Sequence, residues 1–413
     1  MAWRFGVDGE NGTGHRRPLM QTISKAYWLV RHPRALYSLT IELPFALTKS
    51  ILAYIGGILL LRPRTLTSVL QVSTISHKQF MLSRMLRRKH VRSAFLAINT
   101  SGNDRLNIGY EYSIPLRMGW RRRRWLSLWL LWTVLARYDV IHYHFNAFLF
   151  PDGYDLRILR RLGKGIVIHF RGCDLRHRSV NMAKNPVLNV CMECDYPRGS
   201  CDNEAQHSLI ALAKTYGDHF FVTTPDLLDF FPTAEHLPFI HPVEVNFDEI
   251  PPLPRPDGVF RIVTSSNHEA LDGVAHIRGA VDRLRSEGHA VELIEIFQQP
   301  YREAIAAYKS ADLYVGKLLM GYYNNANIET MMLGVPNMCH IREEFRPMMA
   351  DAPIIVTQPS TVYDNLKEWL GKQGELKSLG ARGPDFVHRH HDPDVLVDRI
   401  IDRYRAIIEA KST

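Results

Sequence analysis

Short apolar runs alternate with amphipathic stretches over most of the chain. Thr65–Ser73 (TLTSVLQVS), Ser93–Ile98, Asp139–His144 (DVIHYH), Gly165–Phe170 (GIVIHF) and His219–Thr223 (HFFVT) are short, β-branched and bounded by polar residues. Such runs predict strands buried on both faces. His77–Arg88 and Tyr154–Leu162 lie between them and read as helices. Leu237–Pro254 then holds Pro238, Pro242, Pro251, Pro252 and Pro254, a linker composition. The alternation restarts beyond it. Phe260–Ser265, Val291–Ile296, Leu313–Val315, Asn337–His340 and Ile354–Val356 predict strands, and Gly273–Glu287, Tyr301–Ser310 and Ala326–Leu333 predict helices. In Asp394–Ala410 the residues Val395, Leu396, Val397, Ile400, Ile401, Ile407 and Ile408 recur at near-helical spacing, as in a closing amphipathic helix. The expected fold class is α/β, with two Rossmann-like parallel-sheet domains at 65–240 and 255–390 facing a cleft, and a closing helix at 391–413. Ligands in such folds lie at the carboxyl ends of strands.

Residues 1–64 stand apart from this pattern as a basic, apolar extension. The first ~20 are polar and Gly-rich, with no apolar core and small-residue cleavage site of the secretory kind. Leu43–Leu61 (LPFALTKSILAYIGGILLL) is apolar apart from Lys49, with Arg62 and Arg64 directly after it. Its uncharged core is shorter than the ~20 residues that span a bilayer. An interfacial anchor, a helix buried on the protein itself and a true span all remain open, in that order of preference. A second segment, WRRRRWLSLWLLWTVLAR at 120–137, places Trp125, Trp129 and Trp132 on one helical face. Arg121–Arg124 sit at the helix start, where the macrodipole disfavours cations unless an anion is near. Lipid phosphate is one such anion; the plainer reading is solvated arginines and packed tryptophans.

Composition agrees. The 413 residues carry 51 Lys and Arg against 42 Asp and Glu, a net charge of +9, with 46% apolar residues. That apolar content excludes a disordered chain. A mean hydropathy of −0.16 argues against a polytopic membrane protein. The basic excess is read as contact with an anionic membrane surface. Nucleic acid is not expected as a partner, because no zinc-finger, RRM or helix-turn-helix pattern accompanies the arginines.

Three stretches carry a family resemblance. YDVIHYHF at 138–145 with VIHFRGCDLR at 167–176, ADLYV at 311–315 leading to IETMMLGVP at 328–336, and RHHDPDVLVDRIIDRY at 389–404 together resemble the GT-B glycosyltransferases of the retaining family 4 (group 1) type. The resemblance covers about residues 66–408 and implies transfer of a sugar from a nucleotide-sugar donor to a glycan or lipid-linked acceptor on the cytoplasmic face of a membrane. No cofactor is required for catalysis in that class. The resemblance assigns Glu329 to the donor ribose. Asn325, within the helix-start segment Asn324–Asn327, and Lys317, just after a strand, stand where the diphosphate would lie. Ser266 and Asn267, in the SSNH loop, should face the same cleft. His144, Arg171 and Asp174 end strands of the first domain and are the implied catalytic and acceptor-side residues. The plainer readings are a helix-favouring glutamate, a surface lysine and a structural histidine. The chain also departs from the pattern: Gly321 stands where the family commonly has an acid, Asp272 where it has a base, and Arg171 where His is usual. These departures support an alternative, a catalytically inactive GT-B-like scaffold of a polysaccharide assembly.

The sequence has 5 cysteines, of which Cys191, Cys194 and Cys201 form C-x2-C-x6-C with Cys173 upstream. Four thiolates suit a structural zinc, and less readily an iron–sulfur cluster; free thiols are the plainer reading. The expected place is an insertion at 173–201 near the cleft.

Overall fold

The computed structural model describes residues 42–59, 65–74, 77–100, 109–197, 201, 203–241 and 246–412. The polar lead at 1–20 and the pair Arg62 and Arg64 lie outside the described residues. Residues 1–59 and 60–413 form two compact units. In the first, the helix Leu43–Leu59 carries Leu43, Leu47 and Ile51 as an exposed stripe one turn apart. Among the described residues, no helix is long and apolar enough to cross a membrane.

The second unit holds two all-parallel sheets. The N-terminal sheet contains β1 (Ser68–Thr74), β2 (Arg92–Thr100), β3 (Tyr112–Pro115), β4 (Val140–His144), β5 (Gly165–Phe170), β6 (His219–Val222) and β7 (Glu235–His236), in the order β3-β2-β1-β4-β5-β6-β7. The C-terminal sheet contains β8 (Phe260–Ser266), β9 (Val291–Phe297), β10 (Leu313–Val315), β11 (Asn337–Cys339) and β12 (Ile354–Val356), in the order β12-β11-β10-β8-β9. Strand order reverses beside β1 in one sheet and beside β8 in the other. At such switch points the connections leave in opposite directions and open a crevice at the carboxyl ends. β3 and β7 are absent from the sequence reading; as edge strands of 4 and 2 residues they carry too little pattern to be seen.

The closing helix Pro393–Ser412 packs on the first domain. Leu396, Val397, Ile400, Ile401, Tyr404, Ile407 and Ile408 join Val69, Leu82, Met85, Val140 and Val167 in one core. Val395, read as part of the apolar face, is instead 62% exposed. Polar pins reinforce the seam: Lys89 Nζ to Asp398 at 2.8 Å, Arg399 Nε to Glu235 at 2.6 Å and Lys411 Nζ to Asp218 at 2.9 Å. The chain therefore returns to its first sheet after building its second.

The Trp-rich helix is Trp120–Thr133. Its exposed ridge is Trp120, Trp125 and Trp129, at 49, 42 and 56%. Trp132, read as sharing that ridge, is half-buried, because Leu128, Leu130 and Leu131 set the inward face. Gly119 provides no side-chain cap and the first turn has no acid. Arg121 and Arg124 lie over the Trp120 ring, and Arg123 donates to Asn99 at 2.8 Å.

Buried histidines set a pH limit on this fold. Burial holds His142, His144 and His169 well below the usual imidazole range, and lowers His236, His340 and His391 to about 4 and His241 to about 3. The unfolded chain takes up these protons near pH ~6.5. Stability is therefore complete above that pH and falls on acidification, by roughly 1.4 kcal/mol per histidine per pH unit until the folded groups titrate. Urea midpoints measured at about pH 7.5 and about pH 5 should differ markedly, and equal midpoints would contradict neutral burial.

Candidate functional site

Between the sheets lies a cleft of about 480 Å³ whose wall includes Ser266, Asn267, Lys317, Asn325 and Glu329. The structure thus brings the five donor-side candidates together. Each is placed by a strand end or a helix start. Ser266 ends β8; its Oγ donates to Asp272 at 2.7 Å and accepts from the His268 amide at 2.9 Å. Asn267 follows it in the turn and is exposed. Lys317 follows β10 and pairs with Asp272 at 2.7 Å.

Asn325 and Glu329 lie on the helix Asn325–Met332. Asn324 caps it, accepting from the Asn327 amide at 3.1 Å, while Asn327 accepts from the Asn324 amide at 3.0 Å. This reciprocal capping box fixes the start of the helix at the cleft wall. Glu329 is one turn in and nearly buried. Its carboxylate and the Tyr301 ring both line the cleft, and Oε1 lies 3.5 Å from His241 Nε2.

Lys78 completes this arrangement, and the sequence reading did not single it out. It comes from the start of the helix His77–Arg88, after β1. Its ammonium donates to Asn325 Oδ1 and lies 3.4 Å from His241 Nδ1. Burial lowers Lys78 and raises Glu329, so each drives the other's charge; the attraction between them opposes burial in both. The only sequence signal is a lysine at the end of STISHK after the first strand, the place where a switch-point loop meets a ligand.

The first-domain candidates sit differently. His144 is fully buried at the end of β4, with Nε2 2.8 Å from Gln71 Oε1 and Nδ1 3.4 Å from Arg171 Nη1. Both ring nitrogens face protein groups, so the histidine belongs to an internal network that runs through Gln71 to Tyr404 and His142. Arg171 is half-buried, lies over Phe145 and is lowered to about 10 by burial. Asp174 caps its own turn, accepting from the Arg171 amide at 3.0 Å and the Gly172 amide at 2.6 Å. Burial raises its carboxyl to about 6. His144 and Arg171 reach Lys78 along one small cavity; neither they nor Asp174 lines the main cleft.

Among the described residues, the metal-ligand types whose donor atoms cluster within 4.8 Å are His142, His144 and His169. Their rings stack at 26°, 10° and 36°. Two of the ring pairs stack and the third is tilted, and Arg171 adds positive charge beside them. None of the cysteines forms a disulfide.

Two departures from the family pattern have structural causes. Gly321 has φ +79°, and a Cβ there would lie 2.7 Å from Arg342 Cγ, so an acidic side chain does not fit without rearrangement. Asp272 is fixed by Ser266 and Lys317 and neutralises the lysine.

No protein-family model matches this sequence, and no curated protein matches it. Solved structures do. The sucrose-phosphate synthase of Thermosynechococcus elongatus superposes with TM-score 0.58 at 12% identity, over 83% of this chain and 100% of that one. A glycotransferase of kitacinnamycin matches at TM-score 0.48 and 14% identity, over 83% of this chain and 100% of that one. A UDP-N-acetylglucosamine 2-epimerase matches at TM-score 0.46 and 10% identity, over 83% and 95%. The two parallel sheets and the first of these likenesses establish the two-domain GT-B fold.

Removing Lys78 should expose the strain it relieves. Lys78→Met leaves Glu329 beside His241 without its cation, at a cost of roughly 2 kcal/mol near neutral pH. Because burial raises the Glu329 carboxyl, acidification protonates it and shrinks that cost. Paired denaturation curves of wild type and variant at two pH values check this: a difference that is flat or grows on acidification refutes the pairing.

Proposed function

We propose that the chain is a glycosyltransferase that moves a sugar from a nucleotide-sugar donor to a glycan or lipid-linked acceptor at a membrane surface, in cell-surface polysaccharide or glycolipid synthesis. The observation that carries the proposal is Glu329, held beside Asn325 and Lys78 on a capped helix at the carboxyl ends of two facing parallel sheets. A carboxylate so placed accepts two ribose hydroxyls. Lys317 on the cleft wall and the amides at the helix start then stabilise the leaving diphosphate, with Lys78 holding Asn325 from behind. Retention at the anomeric carbon and a hexosyl donor follow from the family 4 resemblance.

The C-terminal sheet supplies the donor side in this scheme. Catalysis rests on positioning and on charge stabilisation as the sugar–phosphate bond breaks. His144, neutral and hydrogen-bonded, holds Arg171 in place; Asp174 fixes the turn from which Arg171 projects. The scaffold alternative draws on Gly321 and on the Lys317–Asp272 pair, which remove an acid and a free cation from the wall.

Glu329→Gln separates the readings. Charged hydrogen bonds contribute about 1.5–3 kcal/mol each, so the variant should weaken nucleoside-diphosphate binding by roughly 10- to 100-fold and abolish turnover of a nucleotide-sugar panel. Absence of binding and turnover in the wild type supports the scaffold.

The exposed ridge Trp120, Trp125 and Trp129 beside Arg121 and Arg122 is the membrane-facing surface in this reading. Flotation with anionic vesicles should carry the protein up, and Arg121→Glu with Arg122→Glu should leave it in the soluble fraction. Equal behaviour with neutral and anionic vesicles removes the membrane from the proposal.

A further inference from the structure

The insertion after β5 does more than decorate the first domain. Residues 191–197 cross to the second domain. Glu193 lies 2.7 Å from His276 Nε2, Asp195 pairs with His268, and the Tyr196 ring meets His268 edge to face at 4.3 Å. Tyr196 thereby becomes part of the cleft wall. The segment is a strap with little regular structure of its own. Two exposed carboxylate–histidine pairs hold it only weakly against the entropy of ordering it.

Its anchors are cysteines. Cys191 and Cys194 begin the strap, and Cys201 closes it. Cys173 comes from the turn after β5, and the Cys173 and Cys194 thiols both act electrostatically on Cys191. Two sulfurs accept N–H donors: Arg176 Nη1 donates to Cys173 Sγ at 3.5 Å and Asn181 Nδ2 to Cys191 Sγ at 3.2 Å, the latter opposing the burial that raises the Cys191 thiol. N–H donors aimed at sulfur are the usual outer partners of metal-bound thiolates. Arg176 is itself locked by Asp226, at 2.5 Å from Nη2, and the Gln206 side chain donates to the Cys173 carbonyl at 2.6 Å. Among the described residues no three of the thiols lie within 4.8 Å of one another, so holding one ion requires the strap to move inward toward the turn after β5.

We propose that Cys173, Cys191, Cys194 and Cys201 bind one structural zinc ion, and that this ion fixes the strap 191–197 across the mouth of the cleft. Zinc suits the set because four thiolates complete its tetrahedral shell and leave no open position for chemistry. The ion orders the strap and with it Tyr196, Glu193 and Asp195. Only the consequence for donor binding rests on the glycosyltransferase reading; metal binding and strap ordering stand apart from it.

The test uses the full chain, purified and then stripped with a chelator. Elemental analysis should find one zinc per chain, and zinc chloride alone should restore it after stripping. Thiol-reagent titration should find those thiols protected with zinc and reactive without it. Hydrogen exchange over 191–197 should slow by about tenfold or more on zinc addition. Cys194→Ser should lose the zinc. If that variant fails to fold, Glu193→Gln combined with Tyr196→Ala should keep the zinc yet restore fast exchange in the strap. Uridine, guanosine and adenosine diphosphates then probe the cleft, and the one that binds should bind several-fold more weakly to the stripped protein. Sub-stoichiometric zinc with reactive thiols, an iron–sulfur absorbance band, a Cys191–Cys194 disulfide, or strap exchange unmoved by zinc would each overturn the proposal. Failure of all the nucleotides to bind, with zinc binding and strap ordering intact, counts against the glycosyltransferase reading alone.

Discussion

The meeting of Lys78 with Asn325 and His241, beside Glu329 on the same helix as Asn325, is the contact on which the cleft depends. Each group is costly where it stands. Glu329 is nearly buried, and Lys78 is half-buried. A lone buried charge is far less favourable than a paired one. The lysine comes from the first domain and the carboxylate from the second. Parting the domains would therefore break the contact that holds Lys78 against the helix that carries Glu329. The closing helix supports the same geometry from behind, since it returns from the second sheet to the core of the first.

This contact also sets the electrical character of the walls. On the first-domain side the imidazoles of His142, His144 and His169 are neutral, so they pack and hydrogen-bond without adding charge. On the second-domain side Asp272 answers Lys317. Lys78 and Arg171, both from the first domain, line a small separate cavity rather than the main cleft. An anionic ligand seated on the helix Asn325–Met332 would meet its first amides and Lys317 from one domain, with Lys78 of the other behind Asn325. Binding such a ligand and closing the domains would reinforce each other.

Much of the fold was legible because buried parallel strands leave continuous apolar runs, and ten of the strands coincide with runs read from the sequence. The edge strands β3 and β7 were not legible, since a few half-exposed residues carry no period. The donor-side candidates converge because each follows a strand or opens a helix, positions that topology alone sends to one edge. Lys78 escaped for the opposite reason: its partner Asn325 is 247 residues away, and no local pattern encodes a pairing that only domain closure creates. His144 was placed correctly at a strand end, but its orientation depends on Gln71 and Arg171, which belong to other elements. The Trp ridge shifted in the same way, because the leucines between the tryptophans decide which face turns inward.

The left-handed backbone of Gly321 and the adjacent Arg342 side chain mean that the position cannot accept a carboxylate as it stands. Arg342 in turn is held by Asp229 at 2.8 Å and by Glu344, and it stacks on Phe345 at 4.6 Å. An arginine with those partners is fixed, so replacing the glycine alone would clash and would not rebuild a sugar-binding acid. Under the proposed reading, recognition of the donor sugar must come from groups that do face the cleft. The exposed Asn267 is one, and Tyr196 is another. The family-typical acid lies within the second domain, whereas Tyr196 arrives from the first domain on the strap. Under that reading, sugar recognition draws on both domains, as does the contact of Lys78 with Asn325.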